Sequence, residues 1–394
     1  MQPELNIGLF GHVDHGKTTL TKVLTGKWTD THTEEIKRGI TIKIGYADLE
    51  IRKCEKCNRY TNKKICDVCK SKTKFIRKIS FVDAPGHESL MATAISASAI
   101  IDGALFLIAA NEPCPQEQTK EHLMILQLLG VKNIVVIQTK VDTVKKEQAK
   151  KHYEQIKEFL KGTIAENAPI IPVSSTYKLN INYVIEAIQE FIPTPKRDKM
   201  SKPIAYIIRS FDVNNVGKNV KDLLGGVLGG TVIKGMFKIG DEIEIAPGLN
   251  INGVYKRLTT TIKSLKNDKE DLKSVTPGGL IAFGTLLDPS LTRSDLLAGS
   301  IIGLKGTLPK ERNEIRLKYV LLKREDINNA PFKFAEPLLL NIHATPTSGV
   351  IKKLEKKTIL IKLKRPIIIE KDEKIAISRR IGNRWRLSGY GVLA

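Results

Sequence analysis

From the N-terminus to about residue 192, short apolar runs alternate with segments whose apolar residues recur every three or four positions. The runs NIGLFG, KISFVD, ALFLIAA, NIVVIQ and APIIPVS predict strands. GKTTLTKVLTG, QEQTKEHLMILQLLG and the stretches near 145–161 and 180–192 have helical spacing. Strands alternating with helices predict a doubly wound, mostly parallel sheet with helices on both faces. The stretch PTPKRDKMSKP (193–203) then places three prolines and five charged residues in eleven positions, the composition of a linker. Beyond it helical periodicity fades. IAYIIRSF, GGVLGGTVIKG, DEIEIAPG, EIRLKYVLLK, KTILIKLKRPIIIE and EKIAISRR are short β-branched runs separated by Gly and other turn residues, the pattern of two all-β barrels or sandwiches. The expected organisation is therefore an α/β domain at 1–200 and two β domains at 201–304 and 305–394.

Composition narrows the class. The chain has 394 residues, 41% hydrophobic and 27% charged, ordinary for a globular protein with several cores. It holds no run of about 18 apolar residues that would span a membrane. MQPELNIGLFG lacks a charged segment, an apolar core and a small-residue cleavage site, so a cytoplasmic chain is expected. The formal net charge of +22 is lopsided: residues 305–394 alone carry 21 Lys+Arg against 9 Asp+Glu, or +12. A polyanion is the natural partner, because displacing its condensed counterions favours binding.

The first turn after the first strand is GHVDHGKT, residues 11–18, which fits the phosphate-loop spacing with a strand before it and a helix after it. Its glycines let successive backbone N–H groups point at phosphate oxygens, and the following helix adds positive potential. Asp14, His15, Gly16, Lys17, Thr18 and Thr19 are the candidate phosphate contacts. Lys17 should reach the β- and γ-phosphates and the Thr18 hydroxyl should bind Mg²⁺. Downstream, Asp83-Ala84-Pro85-Gly86 supplies a carboxylate for Mg²⁺-bound water and an N–H for the γ-phosphate. VIQTKVD (136–142) ends an apolar strand in Lys-x-Asp, the form of a guanine-reading loop. Asp142 can accept from both guanine donors, Lys140 can lay its stem over the base, and Thr139 stands where such loops place Asn. Ser174, Ser175 and Thr176, after the next strand, can offer a backbone N–H to the guanine oxygen.

Cys54, Cys57, Cys66 and Cys69 form two two-residue-spaced pairs around an eight-residue gap. That spacing grips one metal in a tetrahedral four-thiolate site; Zn²⁺ is the expected ion, with iron possible, and its role structural because no coordination position stays open. Disulfides are the alternative, disfavoured in a reducing compartment. Lys53, Lys56, Arg59, Lys63 and Lys64 around the knuckle suggest a partner or RNA contact. Cys114 is left over, expected to be an inert thiol.

GHVDHGKTTL, KRGITIKIGYADLE and FVDAPGHE resemble the translational GTPases. NEPCPQEQTKEHL, KGTIAENAPIIPVSS and ISRRIGNRWRLSGYG narrow the resemblance to the gamma subunits of archaeal and eukaryotic translation initiation factor 2, over essentially the whole chain. The archaeal form fits best, for want of long terminal extensions. The resemblance implies a P-loop GTPase domain followed by two β-barrels, cycling between GTP and GDP with Mg²⁺. It implies delivery of methionylated initiator tRNA to the small ribosomal subunit, in a heterotrimer with alpha and beta subunits. It makes DTHTEEIKRGIT the first switch, with Thr41 joining Mg²⁺ and a second cation near Asp14 and the Gly39 carbonyl. It gives His87 the role of orienting the attacking water behind a gate of Val13 and Ile40. Thr139 departs from the family pattern, as does Ser175 in place of Ala. Arg379, Arg380, Arg384 and Arg386, interleaved with Trp385, are candidates for RNA contact. Elongator-type or selenocysteine-specific carriers, and the GTPase subunit of a sulfate-activating enzyme, share the three-domain plan.

Overall fold

A computed structural model describes residues 1–29, 44–85, 91–214, 217, 219, 222–268, 270–324, 330–370, 373–382 and 384–394. The chain forms two compact units, Pro3–Pro195 and Lys196–Ala394 together with Met1–Gln2. The division falls inside the proline- and lysine-rich stretch that reads as a linker.

The first unit is a seven-stranded sheet. In chain order its strands are β1 (Asn6–Phe10), β2 (Gly45–Cys54), β3 (Arg59–Thr61), β4 (Lys74–Asp83), β5 (Gly103–Ala109), β6 (Ile134–Thr139) and β7 (Ile170–Pro172). In space they run β3-β2-β4-β1-β5-β6-β7. β4, β1, β5, β6 and β7 pair in parallel, while β2 runs antiparallel to both β4 and β3. The parallel strands read as unbroken apolar runs because both faces are covered; every residue of β1, β5 and β6 is buried. The helices are α1 (Lys17–Thr25), α2 (Met91–Ser98), α3 (Glu117–Leu129), α4 (Lys146–Leu160) and α5 (Ile181–Phe191). α1 and α3 stop at Gly26 and Gly130, both left-handed, which is where a side chain would be strained. Ile181, Val184, Ile185 and Ile188 of α5 join Ile7, Leu9, Leu20 and Phe81 in one core. Each fully buried side chain of that size contributes about 1.5–3 kcal/mol.

The second unit holds two six-strand rings. The first ring uses β8 (Ile204–Phe211), β9 (Val227–Lys234), β11 (Glu242–Ile251), β12 (Val254–Lys266), β15 (Ile281–Thr285) and β16 (Ile301–Leu304). Its order is β11-β16-β8-β9-β15-β12, closed by pairing of β11 with β12. β13 (Asp271–Leu272) extends β12, and β10 (Phe237–Lys238) pairs with β14 (Ser274–Val275) alongside. The second ring, β17 (Arg312–Leu321), β20 (Thr358–Ile367), β19 (Thr345–Leu354), β18 (Pro337–Ile342), β21 (Ile375–Ile381) and β22 (Arg384–Leu393), is a closed antiparallel barrel. Each barrel has its own core, around Ile207, Phe237 and Phe283 in the first and Leu317, Leu340 and Ile361 in the second. Of the two β architectures left open by the sequence, barrels are the ones formed. Among the described residues no helix is long and apolar enough to cross a membrane.

Candidate functional site: the carboxyl ends of the parallel strands

In an open parallel sheet, ligands bind beyond the carboxyl ends of the strands. Every described nucleotide-site candidate lies there. The phosphate loop follows β1, Asp83 closes β4, Thr139 closes β6 and Ser174 lies two residues past β7. The loop turns sharply because glycine stands where nothing else fits. A Cβ on Gly11 would come within 2.4 Å of the Leu107 carbonyl oxygen, and Gly16 has φ +84° immediately before α1. Asp14, also left-handed at φ 63°, is exposed at the loop's tip, as is Thr19 on α1.

Lys17 is buried and its ammonium donates to the carbonyls of Gly11 (2.9 Å) and His12 (2.8 Å), so it spans the loop's concave side. The Thr18 hydroxyl donates to Asp83 Oδ2 at 2.9 Å, and Thr29 donates to the same oxygen at 2.7 Å. Hydroxyl and carboxylate oxygens meeting at one point are the hard donors that Mg²⁺ takes.

His15 is 1% exposed. Its Nδ1 lies 2.9 Å from the Leu107 carbonyl of β5 and its Nε2 3.1 Å from Glu112 Oε2. Burial pushes its pKa down to about 4 against the raising effect of both neighbours. Its own carbonyl accepts a 2.8 Å hydrogen bond from the Thr139 hydroxyl. Thr139 is fully enclosed, Lys140 takes the left-handed conformation at φ 56° and Asp142 points into solvent. Ser174 is buried and its hydroxyl accepts from Tyr177 N at 3.2 Å, while Ser175 and Thr176 are increasingly open. Val173 N donates to the Gln138 carbonyl at 2.8 Å, which sets the Ser174 segment beside the Thr139 loop.

Gly86 and His87, and Gly39, Ile40 and Thr41 of the first switch, lie outside the described residues. Thr29, Glu112 and Gln116 are the residues that sequence reasoning passed over. The signal for two of them was in NEPCPQEQTKEHL, which served only as a mark of resemblance.

The four cysteines come together where β2 leads into β3. Their sulfurs all lie within 4.8 Å of one another, in a group that can hold a metal ion. All are free thiols; the shortest separation, Cys54 to Cys69, is 3.4 Å, well beyond a disulfide bond of about 2.05 Å. Hydrogen bonds from Ser71 draw Cys69 down to about 6, whereas Cys57, hydrogen-bonded to Cys69, is pushed up to about 12. Four thiols this close favour a shared cation over four separate protons. Cys114 is pushed up to about 12 by burial, in keeping with an inert thiol.

The arginine-rich strand divides in two. Arg379 is 8% exposed and faces inward, donating to Glu336 at 2.6 and 3.0 Å and lying 5.0 Å over the Phe332 ring. It is committed to the barrel. Arg380 and Arg384 are exposed, and Arg380 sits opposite half-buried Trp385 in the β21–β22 ladder.

Comparison with known proteins agrees with this geometry. Residues 2–194 match the elongation factor Tu GTP binding domain family, and residues 313–393 match the initiation factor eIF2 gamma C-terminal family. The translation initiation factor 2 subunit gamma of Methanocaldococcus jannaschii is 54% identical over 401 residues, covering 100% of this chain and 98% of that one. The same subunit of Pyrococcus furiosus is 52% identical with the same coverage. Among solved structures, a bacterial selenocysteine-specific elongation factor EF-Sec superposes with a TM-score of 0.76 at 25% identity, over 100% of this chain and 58% of that chain. Elongation factor SelB from Methanococcus maripaludis, in complex with the GTP analogue GPPNHP, gives 0.74 at 25% identity over 100% and 79%. The three-domain plan is thus shared with the selenocysteine carriers, but the sequence is twice as close to the initiation factors. The chain is a translational GTPase and belongs to the family of gamma subunits of translation initiation factor 2.

Proposed function

We propose that this chain is the GTP-gated carrier of methionylated initiator tRNA, delivering it to the small ribosomal subunit and releasing it after hydrolysis to GDP. The observation that carries the reading is the similarity to gamma subunits along the whole chain, both barrels included. The working divisions are the GTPase domain 1–200 and barrel domains 201–304 and 305–394, acting in the cytoplasm with alpha and beta subunits.

Lys17 turns its ammonium toward the β- and γ-phosphates, and the N–H groups around Gly16 surround the phosphate oxygens. Thr18 and Asp83 would hold Mg²⁺, with Thr41 joining in the GTP state, and Asp14 and the Gly39 carbonyl would offer a second cation position. Bound there, Mg²⁺ would supply positive charge against that building on the phosphate oxygens during transfer. Asp142 and Lys140 read guanine, helped by Ser174, Ser175 and Thr176. Gly86 donates to the γ-phosphate and His87 orients the water that attacks it, while Lys17 stabilises the charge that develops. Loss of the γ-phosphate frees the switches and with them the tRNA. Cys54, Cys57, Cys66 and Cys69 fit structural Zn²⁺, which clamps the excursion between β2 and β4. Exposed Arg380 and Arg384 are candidates for RNA contact.

The test is retention of initiator and elongator methionyl-tRNA by the purified chain, loaded with GTP analogue or GDP, over a salt series. Initiator preference, analogue dependence and weakening with salt are expected. Equal retention of both tRNAs would favour an elongator-type carrier, the reading that the SelB likeness supports. Equal retention with both nucleotides would remove the gating.

A further inference from the structure

Nothing in the reading so far gives Glu112 a role. It follows β5 in the stretch Asn111-Glu112-Pro113-Cys114, 23% exposed at its side chain. Its Oε2 accepts from Gln116 Nε2 at 2.8 Å and faces His15 Nε2 at 3.1 Å. His15 is the point where three segments meet. Its ring touches β5 through Leu107 and the Glu112 loop, it stands edge-on to His12 at 5.4 Å, and its carbonyl takes the Thr139 hydroxyl.

A phosphate loop belongs to neither helix nor sheet, so few hydrogen bonds of its own define its curvature. Two that do, from Lys17 to the Gly11 and His12 carbonyls, use the ammonium that the phosphates require. An ammonium has three N–H donors, so when Lys17 turns to phosphate it cannot serve both carbonyls and both phosphates at once. The contacts of His15 point the other way, into β5 and the Glu112 loop, and survive loading.

We propose that Glu112 is a positioning residue for the nucleotide: through the His15 ring it holds the phosphate loop in its phosphate-accepting curve, and through His15 the guanine loop shares that anchor. The assignment deepens the GTP-binding reading and rests on it. Glu112 touches no reacting atom. Its effect falls on how long the phosphates stay bound, not on which base is read.

Stopped-flow release of fluorescent GDP and of a fluorescent GTP analogue from the full chain tests this, with saturable binding by the native chain testing the underlying reading separately. Glu112→Ala is expected to speed release of both nucleotides about tenfold, the size of one charged hydrogen bond lost. The same factor is expected for the inosine nucleotide, which lacks guanine's amino group. Glu112→Gln should restore release to within about threefold, because an amide oxygen in the same place can accept from both Gln116 and a His15 Nε2–H. Gln116→Ala, which leaves Glu112 in place with one donor fewer, should act in the same direction and less strongly. Native release rates in Glu112→Ala, or Ala and Gln variants equally impaired, would overturn the proposal. So would an effect confined to guanine over inosine, or a lowered melting temperature with release unchanged.

Discussion

Thr139 shows what a single position does when its residue type departs from the expected one. An Asn there would brace the guanine loop and touch the base edge; the hydroxyl keeps the brace, a buried 2.8 Å bond to the His15 carbonyl. What it gives up is the amide. Thr139→Val, nearly the same shape without the donor, leaves that carbonyl unsatisfied at about 1–3 kcal/mol. GDP should bind roughly 5- to 100-fold more weakly by titration calorimetry. Preference for GDP over ADP should persist, since Asp142 is untouched. Native affinity in this variant would show that the brace is idle. The sequence named Thr139 from its place in VIQTKVD, but not its acceptor. That acceptor lies 124 positions earlier and meets Thr139 only because β1, β5 and β6 are neighbours. Glu112 was hidden for the same reason, as its partner is fixed by strand order and not by spacing. Lys17 and Thr18 belong to one local motif and Asp83 to a second 65 positions on, and all three were legible because each motif orders its contacts around the same ligand.

At the level of elements, the cysteine knuckle is an outgrowth of the sheet edge. β2 pairs with β4 from Gly45 to Lys53, and its last residue, Cys54, is already a member of the cluster. Beyond the sulfurs, the loop is tied mainly through its backbone: β3 pairs with β2, Ile65 bridges Lys72, and Thr73 donates to the Lys63 carbonyl at 2.6 Å. Asn62 donates to the Leu24 carbonyl at 2.7 Å, and Lys63 pairs with Asp67 in an exposed ion pair worth little. A loop with so small a core depends on its metal for order. Removing Zn²⁺ with a chelator should speed tryptic cleavage at Lys56, Arg59, Lys63 and Lys64 by about tenfold or more, given how strongly such sites rely on metal for folding. GDP affinity should stay within about twofold, since the knuckle's bond to α1, from Asn62 to the Leu24 carbonyl, falls at the helix end away from the phosphate loop. Unchanged protection, with metal loss verified by mass spectrometry, would assign the order to the polypeptide alone. The cluster was readable because four cysteines at metal spacing carry their geometry with them. Much of the β structure was not. β12 runs 13 residues with a register shift between Ile262 and Ser264 that breaks its alternation. α2, MATAISAS, mixes small apolar residues with Thr93, Ser96 and Ser98, so no charged stripe marks a helical face.

On the largest scale, the two barrels, each with its own core, lie in one compact unit. The junction is polar and centres on the turn before β16. Arg365 of β20 donates to the Ala298 carbonyl at 2.8 Å and to Ser300 Oγ at 3.0 Å, and Thr345 of β19 donates to the Gly299 carbonyl. Gly299 is left-handed at φ +77°, and a Cβ there would lie 3.1 Å from the Arg365 guanidinium, so the turn is shaped to admit it. Tyr206 of β8 adds a 2.8 Å hydrogen bond to His343, itself 3.1 Å from Glu373, and Lys234 pairs with Glu370 at 2.9 Å. In KLKRPIII, Arg365 reads as one more cation of a basic domain. In place it is largely buried, and burial lowers its pKa from the ordinary value. Arg365→Met keeps the stem's packing and removes both donors. With the Ala298 and Ser300 oxygens left unpaired, about 1–3 kcal/mol should be lost for each acceptor that water cannot reach. If that clasp couples the barrels, differential scanning calorimetry should show their common transition splitting in two. The midpoint of the earlier one should drop by about 2–4 °C per kcal/mol for a unit of this size. One unsplit transition at the native midpoint would mean that the barrels stay together without Arg365, and the clasp would reduce to a local packing contact.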